Sequence, residues 1–124
     1  MLGKHQAIAT IAVRDTKTAR EFYEKKLGLK PEDTHDDEVL TFESGGSRLF
    51  VYKSNFAGTN KATSATWTVD DVDGLTRDLK AKGVQFERYD MPGMTREGDV
   101  HVAGNMRAAW FKDPDGNILS IVSG

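Results

Sequence analysis

The fold can be predicted from the stretch Ile11-Ala12-Val13-Arg14-Asp15, because a similar stretch recurs at Trp67-Thr68-Val69-Asp70-Asp71, 56 residues further along the chain. In each copy a short apolar run with β-branched residues predicts a strand, and the aspartate that ends it is a typical helix N-cap. A helical pattern follows in both copies and ends at Gly28 and at Gly83, which lie 55 residues apart. The shared order and spacing indicate a duplicated structural unit.

Further strands complete each unit. The strand patterns cover residues 7–13, 38–43, 48–53, 63–69, 84–89, 106–112 and 118–122. Two hairpin turns are predicted, at Ser44-Gly45-Gly46-Ser47 and at Asp113-Pro114-Asp115-Gly116. The segment from Asp90 to Asn105 carries Pro92 and several glycines, and we predict a long loop there of the kind that is often functional.

The predicted fold class is therefore α+β, with a βαβββ module that occurs twice in tandem. Module one covers about residues 5–55 and module two about residues 62–124, within a single domain that spans 1–124. A dimeric ferredoxin-like α+β barrel also alternates strands with two helices, but it would not need the paired hairpins.

The composition excludes several classes of protein. The 124 residues include 17 Lys and Arg against 19 Asp and Glu, for a net charge of −2, and no cysteine. The absence of cysteine rules out a disulfide scaffold, a thiolate zinc site and a cysteine nucleophile. The charge balance gives no field that would attract nucleic acid or an anionic membrane. Residues 1–6 lack the apolar core of a signal peptide and no apolar run approaches a membrane span, so we expect a cytoplasmic protein.

Beyond the repeated strands, the motifs Phe22-Tyr23, Leu27-Gly28-Leu29 and Trp110-Phe111-Lys112-Asp113-Pro114-Asp115-Gly116-Asn117 stand in a fixed order. This ordered set resembles the vicinal oxygen chelate superfamily, which includes glyoxalase I, the bleomycin-resistance proteins and the extradiol dioxygenases. The resemblance covers essentially the whole chain. It implies two βαβββ modules whose curved sheets form a shared open barrel, and it implies a homodimer.

The same resemblance implies positions for the ligands of a divalent metal, and the sequence shows which residues occupy them. Enzymes of the superfamily typically place a His or Gln seven residues before the aspartate that ends the first strand of a module, and a Glu four residues after the turn glycine. The corresponding positions here hold Ile8, Ser64, Phe50 and Ser120. Apolar side chains donate no electron pair and a neutral serine hydroxyl is a poor transition-metal ligand, so we expect no metal and no other cofactor.

The three histidines do not restore such a site. His5, His35 and His101 share neither a helix face nor a short spacing. His101 is the one that we keep as a ligand-binding candidate, because the predicted second-half loop could bring it over the cavity mouth. A serine nucleophile at Ser64 or Ser120 is disfavoured, since no His–acid pair lies near either one, and no catalytic residue is assigned.

Strand alternation predicts which side chains line the cavity. Together with His101, they are Thr10, Arg48, Phe50, Tyr52, Ser64, Thr66, Thr68, Trp110 and Ser120. Aromatic rings supply apolar contact area and hydroxyls fix orientation, so this set suits an amphipathic small-molecule ligand.

Three functional hypotheses follow. The first is a metal-independent binding protein of the glyoxalase/bleomycin-resistance type, which sequesters an aromatic antibiotic or metabolite. The alternative is a glyoxalase-like metal-dependent lyase, isomerase or dioxygenase with displaced ligands such as His101, Glu43 or Glu87. The third is a structural or regulatory module whose cavity is filled by its own side chains.

Overall fold

The computed structural model describes residues 1–32 and 37–124, so His35 lies outside the described residues. After a short 3-10 turn at Leu2–Lys4, the elements are β1 Ala9–Val13, α1 Thr16–Arg20 with a π-helical continuation at Glu21–Lys26, β2 Lys30–Glu32, β3 Val39–Ser44, β4 Ser47–Lys53, β5 Thr63–Thr68, α2 Val72–Ala81, β6 Phe86–Glu87, β7 Thr95–Glu97, β8 Val100–Ala103, β9 Met106–Lys112 and β10 Ile118–Ser123.

The strands form two mixed sheets, one from each module. The first sheet has the order β1-β4-β3-β2, and the second has the order β5-β10-β9-β8-β7 with β6 paired to β9. In both sheets the first strand runs parallel to the last one, β1 to β4 and β5 to β10, while the hairpins are antiparallel. The two first strands, β1 and β5, lie beside each other. The prediction of an α+β fold built from tandem modules is confirmed.

The helix boundaries follow from the predicted caps. Asp15 accepts a hydrogen bond from the backbone N–H of Lys17 at 3.1 Å, and Asp71 accepts one from Gly74 at 2.9 Å. Each carboxylate satisfies a backbone donor that the first helical turn leaves free. Gly28 after the first helix has a φ of +76°, in the left-handed region that ends helices at little steric cost.

The segment from Asp90 to Asn105 differs from the prediction. It contains two strands, β7 and β8, which pair with each other around Gly98, and β8 also pairs with β9. All three β7 residues are exposed, so the stretch lacks the apolar alternation by which strands are recognised. The predicted strand over 84–89 is correspondingly short, with only Phe86–Glu87 in ladder contact.

One apolar cluster joins the two modules. Its fully or nearly fully buried members come from both helices and both sheets, and they include Ile11, Tyr23, Phe42, Val51, Val72, Phe111 and Leu119. A polar joint lies at its edge. The Tyr23 hydroxyl donates to Asp113 Oδ2 at 2.7 Å, and the Asn117 side chain donates to the Ala12 carbonyl at 2.8 Å. The turn after β9 is thus fixed to the first strand and helix of the other module.

Within the described residues, none of the helices has the length and apolar character that crossing a membrane requires.

Candidate functional site

The face of the two sheets that is turned away from the apolar cluster carries most of the predicted site residues; we call it the open face. In the first sheet Thr10 pairs with Phe50, and in the second Ser120 pairs with both Thr66 and Trp110. Directly paired residues project to the same face of a sheet, and the intervening residues are buried in the cluster. The open face is thus defined by Thr10, Phe50, Thr66, Ser120 and Trp110.

Three more predicted residues lie on this face at exposed positions. Tyr52 pairs with Ala12 of β1. Thr68, the last residue of β5, pairs with Val122 of β10. Arg48 forms an ion pair with Glu32, since its Nε lies 3.0 Å from a carboxylate oxygen of that residue. Of the ten predicted site residues, Trp110 alone borders the cavity that the second sheet forms, which is described below.

The two open-face hydroxyls bind each other. Thr66 Oγ1 and Ser120 Oγ are 2.7 Å apart, and Ser120 is buried. Of the four positions at which the family resemblance implies metal ligands, Ile8 and Phe50 are apolar and Ser120 is already engaged with Thr66. The side chains present do not fit a divalent transition metal, which requires imidazole, carboxylate or thiolate donors.

The fourth of those positions, Ser64, lies at an irregularity of β5. The register shifts so that Ile118 pairs with Thr63 while Leu119 pairs with Ala65, which leaves Ser64 half-buried in a bulge. Thr63 consequently reaches the site, and its Oγ1 accepts a hydrogen bond from Trp110 Nε1 at 3.2 Å. Sequence reasoning missed Thr63, because the shift arises from pairing with β10 and leaves no local signal.

From the sequence we expected His101 in a loop over the cavity mouth. It is instead a strand residue. It lies in β8 opposite Ala108, on the open-face side of the ladder, and it is fully buried. The ring centroid of His101 is 4.8 Å from that of Trp110 and 5.9 Å from that of Tyr89, and Tyr89 contacts Trp110 edge to face at 5.5 Å. We call these three residues the aromatic triad.

A backbone contact fixes the tautomer of His101. The N–H of Tyr89 donates to His101 Nε2 at 2.9 Å, so this nitrogen must carry a lone pair and the imidazole proton resides on Nδ1. Nδ1 itself is buried and bonds to no atom of residues 1–32 and 37–124. Burial raises the pKa of the Tyr89 phenol, and the nearby Glu87 carboxylate adds to the effect.

Next to the aromatic triad the structure forms a cavity of about 700 Å³, which we call the open-face cavity. Its walls include the aromatic and apolar residues Tyr89, Met91, Trp110 and Ile118 and the charged residues Lys61, Glu87 and Lys112. At the edge Lys112 Nζ lies 2.8 Å from Glu87, which raises the pKa of the lysine. The volume is within the range of small-molecule sites.

The three displaced ligands of the enzyme alternative do not converge. Glu87 is paired with Lys112, His101 accepts from Tyr89, and Glu43 lies in the first sheet opposite Arg48. Throughout the described part of the chain, no three His, Asp or Glu side chains come together as a metal-binding group.

Comparison with known proteins finds a matching family model and several similar solved structures. A family model described as the Glyoxalase/Bleomycin resistance protein/Dioxygenase superfamily matches residues 5–121. No curated protein sequence matches. A solved structure of the fosfomycin resistance protein FosX from Listeria monocytogenes has a TM-score of 0.73, at 16% identity over 97% of this chain and 93% of that chain.

Two further solved structures are similar over nearly their whole length. A lactoylglutathione lyase from Agrobacterium tumefaciens has a TM-score of 0.71, at 16% identity over 97% of this chain and 93% of that chain. A glyoxalase/bleomycin resistance protein/dioxygenase from Alicyclobacillus acidocaldarius has a TM-score of 0.70, at 21% identity over 96% of this chain and 90% of that chain. At these identities the likeness shows a common fold, which hosts more than one activity.

Proposed function

Because this chain belongs to the glyoxalase/bleomycin resistance protein/dioxygenase superfamily, we propose that it is a metal-independent small-molecule binding protein that sequesters an aromatic antibiotic or metabolite in the open-face cavity. The observation that carries the proposal is the donor set of the open face. Where the family resemblance implies metal ligands, this chain has a hydroxyl pair between Thr66 and Ser120 and the apolar side chains of Ile8 and Phe50.

The aromatic triad favours a planar ligand. The Trp110 indole is held at its N–H by Thr63 and at its ring by edge contacts with Tyr89 and His101. A ring fixed in this way loses little conformational freedom when a second ring stacks on it, so less of the binding free energy is spent on ordering the site. Met91 adds a side chain that can adapt to an irregular outline.

The charge of the cavity favours a neutral or anionic ligand over a cationic one. Glu87 neutralises Lys112, whereas the Lys61 ammonium forms no ion pair with any residue in 1–32 or 37–124. The walls therefore carry one unbalanced positive charge, which attracts a carboxylate, phenolate or similar group on the ligand.

Tryptophan fluorescence tests this proposal, because Trp110 lies in the open-face cavity and Trp67 does not. In a Trp67→Phe variant, titration with planar aromatic acids and neutral aromatic compounds is expected to quench Trp110 emission and to raise the melting temperature. Trp110→Ala should weaken binding by about 30-fold, or about 2 kcal/mol, as expected for a central aromatic contact. Tyr52→Ala, an exposed open-face change in the other sheet, is the matched control.

Elemental analysis separates the proposal from the enzyme alternative. Protein purified without chelator should bind the aromatic ligand equally well before and after dialysis against EDTA. Stoichiometric zinc, nickel, manganese or iron that is needed for binding would show that the site is a metal centre, and the proposal would then be wrong.

A further inference from the structure

A second cavity of about 490 Å³ lies on the side of the sheets that carries the helices, between the two modules; we call it the helix-side cavity. Its walls are Leu27 and Leu29 from the segment after the first helix, Trp67 and Val69 from the end of β5, Leu75 and Leu79 from α2, and Phe111 and Ile121 from the second sheet. It shares no lining residue with the open-face cavity.

Trp67 forms a fixed wall of the helix-side cavity. Its ring stacks on Phe111 with centroids 6.4 Å apart and an angle of 22° between the planes. Its indole N–H donates to Ser44 Oγ at 2.9 Å, which ties β5 to the end of β3 in the other module. Since the N–H is already bonded, Trp67 offers a ligand only the apolar surface of its ring.

The cavity walls carry no inward-directed charge. Lys30 and Glu43 border the cavity, but they pair with each other across β2 and β3, next to the pair of half-buried Pro31 and buried Phe42. Strand alternation directs the side chains of Lys30 and Glu43 to the open face, opposite to Phe42. A charged ligand would leave water for a site that offers it no counter-charge, so the cavity favours an uncharged ligand.

Ser44 supplies one polar group. It lies on the same side of β3 as Phe42, and its Oγ accepts from Trp67. Its own hydroxyl proton is donated to no atom of the described residues. A ligand carbonyl or ether oxygen placed beside Ser44 can accept that proton.

We propose that the helix-side cavity is a second binding site, which takes an uncharged, predominantly apolar molecule with one hydrogen-bond acceptor directed at Ser44. The site is independent of the ligand that the open-face cavity binds, because strand β9 separates the two and presents Trp110 to one cavity and Phe111 to the other.

The uncharged naphthyl ketone dye 6-propionyl-2-(dimethylamino)naphthalene tests the site, because its emission moves to the blue in apolar surroundings. We expect saturable binding with a blue shift. Leu75→Gln places an amide in the wall at a position that is 36% exposed, so the fold is retained while dye affinity falls about tenfold. Arg77→Gln, an exposed change on the same helix outside the cavity, is the matched control and should leave dye affinity unchanged.

Two outcomes would overturn the proposal. Dye binding that survives Leu75→Gln and is lost in Trp110→Ala would place the dye in the open-face cavity. Dye binding that weakens as the protein concentration rises would mean that a second copy of the chain covers the helix-side cavity. Neither outcome argues against aromatic ligand binding at Trp110, so the two proposals fail separately.

Discussion

Asp99 is the point at which charges from three segments meet. Its side chain is only 8% exposed, and it accepts from Lys80 of α2 and from Arg88 at 2.9 Å. These contacts, that with Lys80 foremost, hold the pKa of the Asp99 carboxyl below its ordinary value. Both cations are about half exposed, so solvent screens part of their attraction.

The Asp99 contacts predict an acid-sensitive contribution to stability. A carboxyl whose pKa is lowered by folding stabilises the native state above its unfolded pKa of about 4, and this contribution is lost as the pH falls through the lowered native value. Asp99→Asn should therefore reduce the free energy of unfolding by about 1 kcal/mol at pH 7 and by progressively less below about pH 4.

Thermal unfolding of both proteins from pH 7 to pH 2.5 measures this difference. Asp78→Asn, at an exposed position on α2 that has no ion pair among the described residues, is the control and should show no such trend. A gap in melting temperature that stays constant over the whole pH range would mean that Asp99 does not titrate as inferred.

At the scale of the element, the first turn of α2 depends on a glycine. A Cβ added at Gly74 would lie 2.3 Å from Oδ2 of Asp71, the carboxylate that caps the helix. Alanine at this position therefore forces the cap to rotate away. Glycine is retained inside a helix here because it leaves room for the capping group, although it costs helix propensity.

A double-mutant cycle tests this coupling. Gly74→Ala should change the free energy of unfolding little, because a helical gain of about 1 kcal/mol is offset by loss of a cap of similar worth. In an Asp71→Ala background the same change should stabilise the protein by about 1 kcal/mol. Urea denaturation of the four proteins gives the cycle, and additive effects would contradict the proposed contact.

The elements show what the sequence could and could not predict. The duplication, both N-caps and both hairpin turns were predictable because each is encoded by residues close together in the chain. The β7–β8 hairpin could not be predicted. Thr95–Glu97 is exposed at every position, and it is recognised as a strand only by its pairing with β8.

The site was predicted in part for the same reason. Alternation within a strand correctly placed Thr66, Ser120 and Trp110 on one face. The contact of Trp110 with Thr63 and the burial of His101 beside Tyr89 both depend on pairings between distant segments. Such register shifts and packing contacts have no signature in the local pattern.

At the scale of the molecule, a buried carboxylate connects the modules. Asp113 accepts from the Tyr23 hydroxyl and from the side chain and backbone of Asn117, while Asn117 also donates to Ala12 of β1. Burial and the adjacent Asp113 charge raise the pKa of Tyr23 far above its usual range, so the phenol remains a donor at every accessible pH.

This joint and the shared apolar cluster predict that the modules unfold together. In a Trp110→Phe variant the remaining Trp67 bonds to Ser44 across the modules, so its emission reports their contact. Its urea transition should coincide with the loss of far-UV circular dichroism, as in a two-state system. Two resolved midpoints would show instead that one module unfolds before the other.

The parallel pairing of the first and last strands in each module also has a consequence for how the chain is made. β1 cannot pair with β4 until synthesis has passed residue 53, and β5 cannot pair with β10 until synthesis has passed residue 123. The β3–β4 and β9–β10 hairpins can close early, whereas the parallel ladders require long loops to close first and form late. Until residues 118–123 leave the ribosome, β5 is an unpaired edge strand, and a nascent chain stalled before that point is a substrate for chaperones.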